Sequence, residues 1–397
     1  MTDSKTITNE WLVLLLLILI GFTTYGHLFS TPVLLPMIGQ DLSLDTEQLG
    51  FIWGMTTFGG LFLALPAGLI SDGIGPKLGI VIISIVVVLG LGLLGLAKGL
   101  ISLSIMMFFA GGVIGALPSV ATKAIMMWFP PNRIGLASGI WWCFNRIGMG
   151  TGAGVSATLV SPALNGWGNT FLLYGGVLLG IIILWLVIIR EPKTAGRATR
   201  SPFGESIRNA LQTRDVWFCS IALFGTIGSF VGFTGYLPLY LKNIGWTSVQ
   251  YSLSLTAFMV VMIPSSIIVP GLSDRYSSRK PFYLISALIY IVALMLLVVF
   301  KKTPVIWLLI IIAGLNFGTL LPVINAIIAE IEGIGAQYAG TAISFGSGLG
   351  GLGGLIFAWA SGKLAMLNAA LPFIFDAGLC FLCIIPVFFV EQKRSRI

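Results

Sequence analysis

A single arginine, Arg146, sits about a dozen residues inside a long apolar segment, 134–160, within the run WWCFNRIGMGTGAG (141–154). A cation at that depth of a bilayer costs about 2.5–3.5 kcal/mol on insertion scales and faces the bundle interior or a watery path. The chemistry it offers is electrostatic: an anchor for an anion. A structural ion pair is the alternative, but the first half of the chain has no carboxylate at comparable depth. Trp142 lies one helical turn before Arg146 on the same face and offers a stacking wall. Tyr25 and His27 fall near the middle of the first apolar run, two apart and so on different sides of a helix. His27 is the only histidine and is able to carry a proton. Tyr236, Asn316 and Ser347 place neutral hydroxyl and amide groups at mid-segment in the second half. One cation facing neutral polar groups suits a small monovalent anion better than a dianion. Asp376, in the last apolar run, reads as structural or interfacial. With His27 it is a candidate for proton coupling.

Those groups need a scaffold, and the composition allows one kind. The chain has 397 residues, 57% hydrophobic and 9% charged. Soluble domains carry roughly 25% charged residues. A water-soluble fold of this composition would leave a large apolar surface exposed. The run from Trp11 to Leu35 has no lysine, arginine or carboxylate, and about 20 apolar residues suffice to span a bilayer. It is too long for a signal peptide and lacks the small-residue cleavage end, so it reads as a retained helix. Twelve spans are expected, near 11–35, 48–70, 78–97, 101–127, 134–160, 169–190, 215–241, 249–270, 281–300, 304–329, 337–362 and 371–390. The expected fold is an all-α membrane protein with six helices in residues 1–190, a cytoplasmic linker over 191–214 and six helices in 215–397. The four cysteines (Cys143, Cys219, Cys380, Cys383) lie inside apolar runs and read as packing residues.

Charge supplies an orientation. With a cytoplasmic N-terminus, sixteen of the twenty-two Lys and Arg residues fall on the cytoplasmic side, five outside, and Arg146 within a span. That obeys the positive-inside rule and accounts for the net charge of +8. Nucleic acid is not an expected partner, because no basic patch stands clear of the bilayer. The expected location is the cell (cytoplasmic) membrane, with both termini inside.

The two halves are related. Pro36 and Pro238 are 202 residues apart, as are Gln48 and Gln250, Asp72 and Asp274, and Lys77 and Arg279. AGGVIG (110–115) and AGLNFG (313–318) stand 203 apart. Parallel repeats of this kind imply a pseudo-two-fold axis along the membrane normal, with a substrate site between the halves near the midplane.

The stretch GLISDGIGPK (68–77) follows the second span, and PGLSDRYSSRK (270–280) follows the eighth. Gly68, Asp72, Gly75 and Lys77 fit the loop pattern G-x-x-x-D-x-x-G followed by a base. On these residues the sequence resembles the major facilitator superfamily, over all twelve spans. The resemblance implies a secondary transporter that rocks between two states. Asp72, Lys77, Asp274, Arg275 and Arg279 would then gate it as a cytoplasmic latch. The first half departs from the pattern, with Gly73 where the family often has Arg, although Arg275 fills that place in the second half.

Absences narrow the function. The fourth span has no arginine in its body, MMFFAGGVIGALP (106–118), and the fifth has no Gly-Pro pair, whereas proton-coupled drug antiporters of the superfamily typically carry a basic residue and a Gly-Pro pair at those places. The junction WFPPNRIGLASG (128–139) looks like that of nitrate/nitrite and oxalate/formate-type carriers, whose other arginines, like that of monocarboxylate carriers, are missing here. The expected function is transport of a small anion, a carboxylate or oxyanion, by exchange or proton symport. Efflux of hydrophobic drugs is the alternative, and a membrane receptor without transport is a third reading. Enzymatic activity is not expected: no metal cluster, nucleotide motif or nucleophile triad appears, and the glycine run GSGLGGLGG (346–354) lies inside a span. No cofactor or metal is expected, the partners are a small-molecule substrate and the lipid bilayer, and the working unit is a monomer.

Overall fold

In the computed structural model, residues 9–130, 133–190, 208, 211–273, 275, 276, 278–300, 303–332 and 334–391 are described, the side chains of 65, 67–73 and 335–338 excepted. Twelve helical spans run through them, and no strand occurs among the described residues. The first half comprises α1 (Glu10–Asp41), α2 (Thr46–Ile74), α3 (Pro76–Leu91, extended by a 3-10 turn to Leu96), α4 (Leu100–Trp128), α5 (Ile134–Val155) and α6 (Trp167–Ile188). The second comprises α7 (Arg214–Asn243), α8 (Ser248–Ser273), α9 (Lys280–Val299), α10 (Thr303–Ala329), α11 (Gly335–Leu367) and α12 (Leu371–Ile384, extended to Phe389). Ten of these are long and apolar enough to cross a membrane among the described residues. The other two, α2 with 29 residues and α5 with 22, are also long enough to span. The segment expected as the linker lies almost wholly outside the described residues.

The repeat has a structural cause at two places. At the start of α2, Gln48 N–H donates to the Asp45 carboxylate (2.8 Å) and Asp45 N–H donates to the Gln48 amide oxygen (3.0 Å). At the start of α8, Thr247 and Gln250 exchange the same two bonds (3.0 and 3.3 Å). Each is a reciprocal capping box that satisfies two otherwise orphaned backbone donors. The pair Gln48/Gln250 therefore marks two helix starts. Between α2 and α3, Gly75 adopts φ 88, a left-handed turn that side chains resist, and Pro76 begins α3. Gly73 still belongs to α2, so the turn rests on Gly75 alone.

Within the first half, α5 lies directly against α1. Gly148 and Gly152 meet the α1 backbone at Phe22 and Gly26, where no side chain would fit. The Trp141 indole N–H donates to the Leu17 carbonyl (3.2 Å). Small residues allow this approach, and close packing holds helices together where lipid removes the hydrophobic drive.

Two seams join the halves. Along the first, α2 runs against α11 from Thr46–Gly362 through Gly50–Ala358 and Gly54–Leu355 to Leu61–Gly348. Along the second, Gly150 and Gly154 of α5 meet Thr256 of α8, whose hydroxyl donates to the Gly150 carbonyl (2.9 Å). We call the end of the bundle where α1 begins the terminal end, and the opposite one the far end. The far end is sealed. The Trp53 indole N–H donates to the Val231 carbonyl (3.0 Å), Lys242 donates to the Pro36 carbonyl (3.2 Å), and the Trp359 indole N–H donates to Glu47 (2.9 Å). Phe29 meets Phe230 behind them, with ring centroids 6.1 Å apart. Toward the terminal end, Gly139 on α5 and Gly271 on α8 face empty space.

Candidate functional site

The α5 helix places Arg146 one turn on the terminal side of Gly150, which abuts α8. Arg146 therefore shares the face of α5 that carries Gly150 and turns toward the other half. It is half-buried and makes no hydrogen bond or ion pair with any described residue. Tyr25 of α1 and Cys143, one turn back on α5, lie within reach of its charge. The Tyr25 ring stands 6.3 Å from that of Trp142, and Trp142 stands 4.9 Å from Trp141, which is itself fixed to α1. Tyr25 is buried, whereas Trp142 remains 42% exposed. The result is a cation without a counter-charge among the described residues, beside an aromatic wall. Behind it, Asn145 is fully buried against Gly21 of α1, and neither atom of its amide has a partner.

The other candidate residues are elsewhere. His27 points into the core of the first half, stacked on Phe171 (5.4 Å) and edge-on to Tyr174 (5.4 Å) of α6. Neither ring nitrogen meets a hydrogen-bond partner, although the backbone of Leu91 lies nearby. Tyr236 is buried near the far end, where its hydroxyl donates to the Ala369 carbonyl (3.2 Å). The Asn316 amide donates to the Ile312 carbonyl of its own helix (2.9 Å). Ser347 is exposed on α11. No described contact joins these four to Arg146.

Of the latch residues, Asp274 and the side chain of Asp72 lie outside the described residues. Arg275 is exposed, and the Lys77 carbonyl accepts the Trp185 indole N–H (3.1 Å). Arg279 pairs with Glu330, just past the end of α10 (2.7 Å), and donates to the Ser273 hydroxyl (3.1 Å). Both of these partners belong to its own half. On the first half's terminal side, Arg133 pairs with Glu10 (2.8 Å).

Reading the sequence did not find the far-end seal. Trp53 and Lys242 bind backbone carbonyls across the halves, and a carbonyl acceptor leaves no residue-type signature. Nor did it find the stack at the centre of the second half, where Phe230 lies on Phe317 (4.7 Å, 16° between planes) and Phe258 (6.2 Å). The only signal was the abundance of Phe, 26 residues.

A family model described as Major Facilitator Superfamily matches residues 13–251 and 240–396, nearly the whole described chain. The chain belongs to the major facilitator superfamily. Its members are transporters, and the twelve helices place this one in the membrane as a multi-pass protein. Among named relatives it is 23% identical over 234 residues to the uncharacterized transporter YycB of Bacillus subtilis, covering 56% of this chain and 55% of that protein. It is 24% identical over 289 residues to the probable sulfoacetate transporter SauU of Cupriavidus necator, covering 69% of this chain and 67% of that protein. The chain thus aligns with little more than half the length of the Bacillus protein. Among solved structures, a bacterial homolog of the human lysosomal transporter Spinster, inward-facing and unoccupied, superposes with a TM-score of 0.79 at 16% identity, covering 97% of this chain and 99% of that one. The Escherichia coli fucose:proton symporter FucP gives a TM-score of 0.63 at 18% identity, covering 97% and 100%. At these identities the likeness is one of fold.

Proposed function

We propose that this transporter carries a small anion, a carboxylate or oxyanion, by rocker-switch alternating access across the cytoplasmic membrane. The observation that carries the reading is Arg146: a cation within the membrane, walled by Tyr25 and Trp142, with no counter-charge among the described residues. An uncompensated charge in hydrocarbon is costly, and an anionic substrate supplies the compensation. With one guanidinium, the site takes a monovalent anion, or one end of a bifunctional one. The similarity to a protein named as a probable sulfoacetate transporter supports that class. The basic residues gathered at the terminal end support cytoplasmic termini. The conformation described then faces inward, with its far end sealed.

Thermal unfolding of the purified protein with sulfoacetate, acetate, formate, nitrate, dicarboxylates and lipophilic cations tests the reading. One or more anions are expected to raise Tm in a concentration-dependent way, as binding to the folded state must. Stabilisation by lipophilic cations with none by any anion would replace anion transport with efflux of hydrophobic compounds.

A further inference from the structure

Asp376 has no part in the anion site. It lies on α12, five residues past the start of that helix at the far end, and is 1% exposed. Its Oδ1 accepts the hydroxyl of Ser361 on α11 (2.8 Å), and its Oδ2 has no partner. Three helices pack against it. From α9 the nearest titratable group is the Tyr290 hydroxyl, already bonded to Ser229 of α7 (3.1 Å). From α12 itself it is Cys380. From α11 the Ser361 hydroxyl reaches it, and from α7 Gly232 packs against it. The next titratable group along α7 after Gly232 is Tyr236, one turn on and bonded to Ala369. No lysine, arginine or histidine is in contact with the carboxyl among the described residues.

A bare carboxylate so placed would be buried with one hydrogen-bond donor, whereas buried charges are paired or amply hydrogen-bonded. A metal cation would need several oxygen ligands beyond one carboxyl and one hydroxyl. A proton needs only the carboxyl. The carboxyl also stands next to a route. A cleft at the far end is lined by Thr46 and Gly50 of α2, Gly232, Gly235 and Tyr236 of α7, and Gly362 of α11. Both oxygens of Asp376 lie 2.7 Å from where a Cβ on Gly232 would stand, and the same Gly232 lines the cleft. Trp53 of α2 covers the same stretch of α7, bonded to Val231 and packed on Gly235.

We propose that Asp376 is a proton-binding site, loaded from the far aqueous phase when α2 withdraws from α7 and shut off when Trp53 docks. The far phase supplies the proton, Oδ2 takes it, and the carboxylate becomes a neutral acid with Ser361 still donating to Oδ1. This site rests on alternating access between the halves and does not depend on the charge of the cargo.

Infrared spectroscopy of the purified protein, with no substrate present, tests it. At neutral pH the wild type is expected to show a carboxylic-acid C=O band that Asp376→Asn lacks. Ser361→Ala keeps the carboxyl, so it answers even if Asp376→Asn fails to fold, and it should move the band to higher frequency by removing the hydrogen bond. In D2O the acid proton should exchange faster in Trp53→Ala, where the far end is unplugged. An absent band in the wild type, or one that neither variant alters, overturns the proton site. Equal exchange rates in wild type and Trp53→Ala overturn the far-side route. Neither result touches the anion reading, which the substrate panel decides alone.

Discussion

Arg146→Ala is expected to remove anion-dependent stabilisation and to weaken the best anion by roughly 10- to 100-fold, since hydrogen bonds to charged groups contribute about 1.5–3 kcal/mol. The ligand-free protein should respond in the opposite sense. Arg146 makes no hydrogen bond or ion pair with the described residues, so the empty state gains no pairing energy from it. Removing a cation from within the membrane should leave the unliganded Tm unchanged or higher. Arg146→Lys keeps the charge and loses the planar fork that binds an oxyanion at two points, so its affinity should fall between the two. Thermal unfolding with and without ligand, beside calorimetric titration, separates these quantities. An Arg146→Ala protein that is less stable when empty yet binds the anion as tightly would make this arginine structural.

Trp53→Ala is expected to shift the protein toward the state open at the far end. Trp53 is 2% exposed, donates to the Val231 carbonyl, packs on Gly235 and meets Phe29 edge-on (5.7 Å). Truncating a buried Trp costs about 3–5 kcal/mol. The contacts with Val231 and Gly235 cross between the halves, so their share of the loss falls on the sealed state. A share of about 2 kcal/mol moves the equilibrium by roughly 30-fold. Leu239 lines the far-end cleft, so a cysteine placed there, in a chain whose half-buried Cys143 is replaced by serine, reports the opening. Its labelling by a membrane-impermeant maleimide should quicken when Trp53→Ala is added. Unchanged labelling in a folded protein would mean that Trp53 does not hold the seal.

The helices were legible because ten of the twelve are long apolar runs among the described residues, and depth along such a run can be counted from its ends. The repeat was legible where one local task is performed twice, as Gln48 and Gln250 do at two helix starts. Direction around a helix was not. Tyr25 and His27 lie two residues apart at similar depth, and the sequence correctly sent them to different sides. It could not say that Tyr25 takes the Arg146 side while His27 stacks on Phe171 and Tyr174. These helices are apolar all round, so no polar stripe marks the cavity face. Tyr236 shows the same limit: its position suits a lining residue, yet its hydroxyl is taken by Ala369. Local signals did carry through where backbone geometry is the constraint, as at Gly75.

The far-end seal has a consequence in ionic strength. Its buried bond joins the Trp53 indole N–H to a carbonyl, while the part-buried Lys242 ammonium meets a second carbonyl and the exposed Trp359 indole meets a carboxylate. No pair of opposite charges closes it among the described residues. Mobile ions screen exposed charge pairs over about 10 Å at 0.1 M salt, but they do little to a buried dipole meeting a carbonyl. The Trp53 closure should therefore hold nearly constant from dilute buffer to about 1 M salt, when followed by maleimide labelling at position 239. Salt in the phase beyond the far end would leave this closure alone, so opening is left to what binds within: the cargo and the proton proposed at Asp376.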